Sequence, residues 1–460
     1  MARRSLEDAI QTAGNPVKLL RNSQQGPWPY PVRAEYTNWR DEQRAWRETA
    51  VLFDQTHHMS EIDVIGPDTV KLLSHLGANS FANYDGSRAK QFFPCTASGH
   101  VIGDVILFYD PKEQRATLVG RPSVTNWVEY HCETGGYNVG FERDDRSADR
   151  RGHILRRKYR YQVQGPNGMK ILEKLNGGPL PPSKFFGIGE MNLAGRKVKT
   201  LRHGMAGEPG LEFWGPYSQQ EEIRAAVVEA GKEFGLKECG ARAYSTNALE
   251  SGWIPSPLPA IYTGGAEMKA YRQWLPADGY EAVASLGGSF SSDNIEDYYL
   301  TPYDLGYGPS VKFDHDFVGR AALEKIAAGK PRRKKVTLVW DGADVARVVQ
   351  SLFQKDQLPG KFMEWPSLVY SVLPYDKIVS GGRTVGISTF AGYSANERAM
   401  LSLAMIDTEL SEPGTKVSLI WGEENGGSAK PNVERHAQTE IRVTVAPNPY
   451  AENARKAYRK

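Results

Sequence analysis

The stretch SGHVIGDVILFYDPKEQRATLVG, residues 98–120, says most about the fold. Residues 100–110 and 115–120 are rich in Val, Ile, Leu and Phe, and the turn PKEQ separates them, which predicts two strands joined by a turn. Asp104 lies inside the otherwise apolar first strand, where an unpaired charge would be costly. Asp104 is therefore a candidate functional residue.

Helices are predicted on both sides of these strands. Residues 67–77, PDTVKLLSHLG, have apolar residues at helical spacing and end at a glycine. Residues 164–177, QGPNGMKILEKLNG, indicate a turn followed by a helix, and residues 218–235, SQQEEIRAAVVEAGKEFG, an amphipathic helix stopped by glycine. Because strands and helices alternate irregularly, the pattern favours the α+β class over a doubly wound parallel sheet.

The last third of the chain has a different pattern. Residues 317–340 contain a helix, a basic run at 330–335 and a strand, and the residues beyond them form short strands and turns such as SGGRTVGISTF and GTKVSLIWG. We predict a first region over residues 1–330 and a small β-rich module over residues 331–460. The basic run is interpreted as a solvated linker, with the steering of an anion as the alternative.

Composition narrows the class of protein. A chain of 460 residues with 40% apolar and 24% charged residues is typical of a globular protein of two or three domains. The net charge of +3 is too small to suggest nucleic acid, but it suits a small anionic substrate. Three scattered cysteines favour a reducing cytoplasm, and no apolar run reaches the ~18 residues of a membrane span. The sequence leaves monomer and homodimer open.

Two adjacent histidines, His57 and His58, stand in AVLFDQTHHM (residues 50–59). They could be metal ligands, an acid–base pair, substrate contacts or packing residues. In a pleated segment neighbouring side chains point to opposite faces, so the pair would not easily share a metal ion, and no cysteine is near. No nucleotide-binding or nucleophile-elbow motif is present either. We therefore predict no metal and chemistry based on an organic cofactor or on the substrates' own reactivity.

Several segments, taken in order, resemble the aminomethyltransferase family, also called the glycine-cleavage T-protein family. They are the strand of residues 98–110, YQVQGPNG (161–168), GEPGLEFWGP (207–216) and FDHDFVGRAAL (313–323). The family binds tetrahydrofolate. The resemblance implies a T-protein-like folate-binding fold of several α+β subdomains with a C-terminal β-barrel module.

One segment departs from the family pattern. At residues 243–252 both arginines of the family motif are missing, and Tyr244 stands in place of the first. Together with LRNSQQGPWPYPV (20–32) and LESGWIPSPLPAIYTG (249–264), this departure is similar to the tetrahydrofolate-dependent aromatic O-demethylase branch. The resemblance implies methyl transfer from a methoxybenzoate (vanillate or 3-O-methylgallate type, or a chlorinated analogue such as dicamba) to N5 of tetrahydrofolate. The alternatives are an aminomethyltransferase and a non-catalytic folate-binding protein.

Site residues follow from this resemblance and from their chemistry. A guanidinium at Arg121 suits a benzoate carboxylate. A phenol at Tyr244 can donate to the ether oxygen as the methyl group leaves, and His57 or His58 can bind a ring substituent. Tyr30 could contact the ring, although packing explains Tyr30, Trp253 and the histidines as well. The residues implied for cofactor binding are Asp104, Val119, Gln164, Glu212 and Trp253.

Overall fold

A computed structural model describes residues 3–26, 31–147, 156–254, 257–329 and 331–456. Helices and strands alternate irregularly along these ranges, so the α+β prediction is confirmed. The helices are α1 (Leu6–Ala13), α2 (Pro16–Arg21), α3 (Trp39–Glu48), α4 (Thr69–Leu76), α5 (Pro122–Thr134), α6 (Gly168–Asn176), α7 (Gln220–Gly231), α8 (Ala241–Tyr244), α9 (Asn247–Ser251), α10 (Ala266–Trp274), α11 (Tyr280–Val283), α12 (Arg320–Ala328), α13 (Gly342–Ser351) and α14 (Glu452–Lys456). The strands are β1 (Ala50–Asp54), β2 (Ser60–Ile65), β3 (Lys90–Phe92), β4 (Val105–Asp110), β5 (Arg115–Gly120), β6 (Gly140–Asp144), β7 (Lys158–Gln164), β8 (Ile188–Leu193), β9 (Arg196–Leu201), β10 (Gly210–Pro216), β11 (Leu236–Glu238), β12 (Leu286–Gly287), β13 (Arg333–Trp340), β14 (Leu373–Pro374), β15 (Asp376–Ser380), β16 (Arg383–Ser394), β17 (Ala399–Asp407), β18 (Lys416–Trp421) and β19 (Thr439–Ala446).

Two sheets form the first part of the molecule. One has five strands in the order β3-β4-β5-β2-β6, and the other has six in the order β11-β1-β7-β10-β9-β8. β4 and β5 pair as antiparallel neighbours, as residues 98–120 predicted. The first strand begins only at Val105, however, so Asp104 lies in the loop before it and not inside the strand. Strand β1 runs directly into the turn that carries the two histidines and then into β2 of the other sheet.

The three predicted helices are present, and glycine ends each of them. Helix α4 stops before Gly77, and α6 stops before Gly177, which adopts a left-handed φ of 76°. Helix α7 continues as one 3-10 turn and ends at Gly235, with φ 72°. Glycine pays no steric cost at a positive φ, so it terminates a helix where another residue would be strained.

The predicted C-terminal β module is a closed barrel with the strand order β13-β17-β16-β15-β18-β19. It encloses its own apolar core, with Leu338, Ile378 and Trp421 among the fully buried side chains. The linker interpretation of the basic run is wrong for its second half, because β13 begins at Arg333. Lys335, inside this strand, donates from Nζ to the carbonyl oxygen of Gly252 at 3.1 Å. The backbone from residue 333 onward therefore pairs with β17, although the run of charges predicts a segment that is exposed to solvent.

A buried carboxylate fixes the part of the first region that faces the barrel. Glu250 on α9 accepts from Trp46 Nε1 at 3.1 Å and Arg47 Nη2 at 2.6 Å on α3. Its other oxygen accepts from Ser394 Oγ at 2.7 Å at the end of β16. Helix α8, which ends with Tyr244, directly precedes α9. Among the described residues, no helix is long and apolar enough to cross a membrane.

Candidate active site

A cavity of about 570 Å³ lies between the first region and the barrel. A volume of this size is typical of sites for small organic ligands. One wall is the turn after β1, the start of α5 and helix α8, and the opposite wall is residues 364–375, which lead into β15. Four of the predicted site residues line it: His57, His58, Arg121 and Tyr244. Tyr30 lies outside the described residues.

The pleated geometry expected for the two histidines is wrong. Residues 56–58 form a turn between β1 and β2. The side chains of adjacent residues in a turn need not alternate as they do in a strand. Both His57 and His58 consequently line the cavity.

His58 contacts the residue predicted to protonate the leaving group. Its Nε2 atom is 3.1 Å from the hydroxyl of Tyr244, and the two rings meet edge to face with centroids 5.0 Å apart. Burial lowers the pKa of His58 to about 3, and the positive charges of Arg121 and Arg156 add to this effect. At neutral pH His58 is therefore an uncharged imidazole, with one nitrogen that donates and one that accepts. The two side chains share one hydrogen bond, in which the tautomer of His58 decides which of them donates.

His57 plays a different part in the wall. Its Nδ1 atom is 2.8 Å from Ser147 Oγ, and its carbonyl oxygen accepts from the Ser147 backbone N–H at 3.0 Å. Its Nε2 atom lies 3.9 Å from the Asp54 carboxylate, and burial lowers the pKa of the ring. His57 thus fixes the backbone of residues 144–147, which contribute Arg146 to the cavity.

The predicted carboxylate-binding arginine stands where a strand meets a helix. Arg121 is the residue between β5 and α5, in an extended conformation before Pro122. Its Nη1 atom donates to the hydroxyl of Tyr280 at 3.3 Å. Its side chain is half-buried in the cavity wall, where the low dielectric strengthens its attraction for an anion.

Among the described residues that line this cavity, none is one of the five predicted to bind the cofactor. Glu212 on β10 belongs to a buried ion network with Arg160 on β7 and Glu61 on β2, each 2% exposed. Arg160 donates to Glu212 Oε1 and, at 3.2 Å, to Glu61 Oε1. Burial alone would raise the pKa of Glu212, but Arg160 and His203 outweigh it and hold the pKa below its ordinary value. Glu212 is therefore ionised.

Aromatic side chains surround this network. Arg160 lies 4.8 Å from the ring centroid of Trp214 and 5.5 Å from that of Phe108. His203 has Nδ1 3.7 Å from Glu212 Oε2, and its ring is 6.1 Å from that of Trp253. Val119 packs in the same apolar group as Phe108 and Phe186, and Phe186 contacts His203. The structure therefore brings Val119, Glu212 and Trp253 together around His203.

This arrangement suits a pterin. A flat heteroaromatic ring with N–H donors needs aromatic or apolar faces and a carboxylate at its edge. Arg160 occupies Oε1 of Glu212, so Oε2 is the oxygen that can accept from such a ring without displacing the arginine. The donor set and the apolar surroundings both fit the pterin end of tetrahydrofolate.

Asp104 and Gln164 take up other contacts. The carboxylate of Asp104 is buried and accepts from Gln91 Nε2 at 3.1 Å. The side chain of Gln164 donates to the carbonyl oxygen of Glu208 at 2.6 Å and accepts from the Ala206 N–H at 3.0 Å. Gln164 thus holds the loop of residues 202–209, between β9 and β10.

That loop connects the two halves of the site. It carries His203 next to Glu212, and it also carries Met205, whose sulfur is 3.4 Å from the Tyr244 hydroxyl. The sequence reasoning did not single out His203, Met205, Arg146 or Arg160. His203 and Met205 lie directly before GEPGLEFWGP, so that motif was the signal that could have found them. No sequence motif contains Arg146, and only the folded structure places it in the cavity wall.

Comparison with known proteins defines the family. The GCVT N-terminal domain family matches residues 20–256, slightly more than half of the chain. The chain is 52% identical over 456 residues to a syringate O-demethylase of Sphingobium sp., covering 99% of this chain and 98% of that protein. This chain belongs to the glycine-cleavage T-protein family, and it lies in the same branch as that relative. It is a methyltransferase that depends on tetrahydrofolate.

More distant relatives agree with this placement. A sesamin methylene transferase of Sinomonas sp. is 30% identical over 435 residues, which are 91% of this chain and 90% of that one. The crystal structure of the glycine cleavage system aminomethyltransferase T from Bartonella henselae has the same fold, with a TM-score of 0.60, 17% identity and coverage of 95% and 98%. The predicted family, fold and cofactor are confirmed.

Proposed function

We propose that this protein is an O-demethylase that transfers the methyl group of a methoxybenzoate to N5 of tetrahydrofolate, giving 5-methyltetrahydrofolate and a phenol. The observation that carries the proposal is the contact of 3.1 Å between Tyr244 and His58, inside a cavity that also contains Arg121. The syringate O-demethylase at 52% identity supports the same chemistry.

The leaving group sets the main demand on the protein. Tetrahydrofolate supplies the nitrogen nucleophile, and the departing phenolate has a conjugate acid with a pKa of roughly 10. A proton donor at the ether oxygen therefore lowers the barrier. Tyr244 is that donor, because its hydroxyl lies in the cavity wall and a phenol can donate a proton to an oxygen that gains negative charge. Neutral His58 holds the Tyr244 hydroxyl in place, and in the tautomer with hydrogen on Nε2 it donates to the hydroxyl oxygen, so that the Tyr244 proton points to the ether oxygen.

Alignment is the second demand. A displacement at carbon needs the nucleophile, the methyl carbon and the leaving oxygen in line. A protein that binds both substrates in this geometry lowers the entropic part of the activation barrier. Arg121 anchors the substrate carboxylate, as Glu212 and Trp253 anchor the pterin. Met205 touches Tyr244 from the loop that carries His203, so the two binding regions share one structural element.

The proposal also covers the substrates, the roles of the two regions, the cell compartment and the oligomeric state. The substrates are methoxybenzoates of the vanillate, 3-O-methylgallate or syringate type, with dicamba as a chlorinated candidate. We assign residues 1–330 to folate and substrate binding and residues 331–460 to a barrel domain that closes the cavity. The three cysteines are free, which suits the reducing cytoplasm. The protein acts as a monomer or homodimer, a choice that light scattering decides.

One experiment tests the proposal. The purified protein is incubated without oxygen with tetrahydrofolate and, in parallel, vanillate, 3-O-methylgallate, syringate or dicamba. Chromatography should show equal amounts of the phenol and 5-methyltetrahydrofolate for at least one acid. Activity should survive treatment with EDTA. Loss of activity on chelation with recovery on adding zinc, or folate binding without any product, would contradict the proposal, and turnover of an aminomethyl carrier instead would favour the aminomethyltransferase alternative.

A further inference from the structure

We propose that Arg146 is a second carboxylate-binding residue of the cavity, and that Tyr280 positions Arg121 and Arg146 as a pair that selects acids over neutral aromatic ethers. This inference rests on the proposed function, because it concerns how the same cavity recognises its substrate. It assigns one specificity-determining residue and one positioning residue.

Tyr280 contacts both arginines with different parts of one side chain. Its hydroxyl accepts a hydrogen bond from Arg121 Nη1 at 3.3 Å. The guanidinium carbon of Arg146 lies 5.0 Å from its ring centroid, which is the geometry of a cation–π contact. A guanidinium stacked on a ring donates within its own plane, which is the direction in which it binds a carboxylate. The rigid phenol therefore sets the separation and orientation of two guanidinium groups.

The backbone on the Arg146 side is fixed by many contacts. Arg156 donates to the carbonyl oxygens of Asp145 at 2.6 Å and Met59 at 2.7 Å, next to the histidine turn. Ser147 bonds to His57 through both its backbone and its side chain. Arg146 itself is 4% exposed and lines the cavity. Its charge is thus held inside the wall and not in bulk water.

The elements that carry Arg121 and Tyr280 are joined as well. Tyr280 is the first residue of α11, and the next residue, Glu281, accepts hydrogen bonds from Asn126 at 2.9 and 3.2 Å. Asn126 lies on α5, the helix that begins directly after Arg121. The contact between Asn126 and Glu281 places Tyr280 beside the start of α5, where its hydroxyl meets Arg121.

The electrostatics of the cavity agree with this assignment. Arg121 and Arg146 are both close enough to His58 for their charges to help lower its pKa. A carboxylate bound between the two guanidinium groups offsets these charges. A benzoate held in this way presents its ring oxygens to the same cavity that contains Tyr244 and His58.

The test compares the binding of an acid with that of its neutral analogue, without turnover. Calorimetry gives the dissociation constants of syringate and of the corresponding benzyl alcohol, which differ only in the carboxylate. In Arg146→Gln the acid should bind roughly 10- to 100-fold more weakly, the scale for removing one partner of a buried charge pair, while the alcohol changes by less than about twofold. Tyr280→Phe keeps the ring and should cost the acid roughly threefold, and Tyr280→Leu should cost more.

A matched control and clear opposing outcomes complete the design. Arg40 also stacks on an aromatic ring, Trp39, but on the exposed surface, so Arg40→Gln makes the same chemical change outside the cavity. In Arg40→Gln the ratio of the dissociation constants of the alcohol and the acid should equal that of the wild type. Equal losses for acid and alcohol in Arg146→Gln, or unchanged acid binding in Arg146→Gln and Tyr280→Leu, would overturn the inference. If Arg146→Gln does not fold, Tyr280→Phe decides. Acid binding without methyl transfer in the wild type would remove the proposed function and leave this pair standing.

Discussion

The substrate cavity and the ion network of Glu61, Arg160 and Glu212 are both rich in buried charge, but they are built differently. The network residues lie on strands β2, β7 and β10, and the charges bind each other across the sheets. The cavity residues lie on turns and helix starts, such as the histidine turn and Arg121 before α5. Strands fix geometry through their neighbours, whereas loops carry groups that a ligand can engage.

This difference separates structure from chemistry in a testable way. A change in the network should act first on stability, because it leaves a buried charge without compensation. A change in the cavity should act first on binding or turnover, since in the proposed function its groups contact the substrate. Stability distinguishes variants of the network, and binding or turnover distinguishes variants of the cavity, so either assignment can fail.

The largest effect is expected for Tyr244→Phe. The change keeps the ring that packs against Phe53 and His58 and removes only the hydroxyl. Turnover should fall by roughly 10²- to 10⁴-fold, the range for losing a general acid, while the dissociation constants of both substrates stay nearly constant. Rapid-quench measurement of 5-methyltetrahydrofolate checks this.

A buried hydroxyl elsewhere provides the control. Tyr159 on β7 is fully buried, and its hydroxyl has no hydrogen-bond partner among the described residues. Tyr159→Phe should retain normal turnover. Near-normal turnover in Tyr244→Phe would assign Tyr244 to packing and leave the leaving group without its donor.

The next effect concerns the network. Arg160→Met keeps an apolar stem against Trp214 and Phe108 but removes the charge between Glu61 and Glu212. The free energy of unfolding should fall by about 3–5 kcal/mol at neutral pH. Since Arg160 holds the pKa of Glu212 low, its loss raises that pKa, and protonation in mild acid should narrow the gap between variant and wild type.

Urea denaturation at several pH values provides the measurement. The double variant Arg160→Met/Glu212→Gln should recover part of the lost stability, because it no longer buries that uncompensated carboxylate. An Arg160→Met protein as stable as the wild type would contradict this prediction, and weaker tetrahydrofolate binding without a loss of stability would show that Arg160 acts through the pterin-binding role proposed for Glu212.

The fold was predictable from the sequence to the extent that local patterns set it. The strands of residues 105–110 and 115–120 and the helices ending at Gly77 and Gly177 follow from apolar spacing and glycine conformations. The linker interpretation of residues 330–335 was wrong for its second half, because a run of charged residues indicates exposed side chains and does not show whether the backbone pairs in a sheet. Lys335 lies in a strand while its long side chain reaches a carbonyl oxygen.

Site residues were proposed from the sequence only where a motif contains them. Tyr244 was proposed because it replaces a family arginine, and it lies in the cavity; Glu212 was proposed from its neighbours in sequence, and it lies in the ion network. Arg146 and Arg160 were not found, since their partners Tyr280 and Glu61 lie about 100 residues or more away along the chain. The orientation of His57 and His58 was wrong because a turn replaced the expected strand.

A smaller effect is expected for Arg121→Ala. Removing this guanidinium should weaken binding of the benzoate by roughly 2–4 kcal/mol, the scale for losing one partner of a buried charge pair. Tetrahydrofolate affinity should barely change, because Glu212 and Trp253 lie outside the cavity wall. Calorimetric titrations of both ligands provide the measurement, and an equal loss for the neutral alcohol analogue would exclude a carboxylate role.

The smallest effect concerns the pH dependence of stability set by His58. Its pKa is lowered to about 3 in the folded protein, whereas an unfolded chain titrates its histidines near 6.5. As the pH falls from about 8 to about 5, only the unfolded state gains this proton, so the folded state loses roughly 1–2 kcal/mol of stability through His58.

His58→Gln should remove that part of the pH dependence in urea denaturation. His57 and His131, whose pKa values burial also lowers, remain in both proteins, so the difference between the two curves isolates His58. Identical curves for wild type and His58→Gln would mean that folding does not lower the pKa of His58, and burial would then not be what keeps this ring uncharged beside Tyr244.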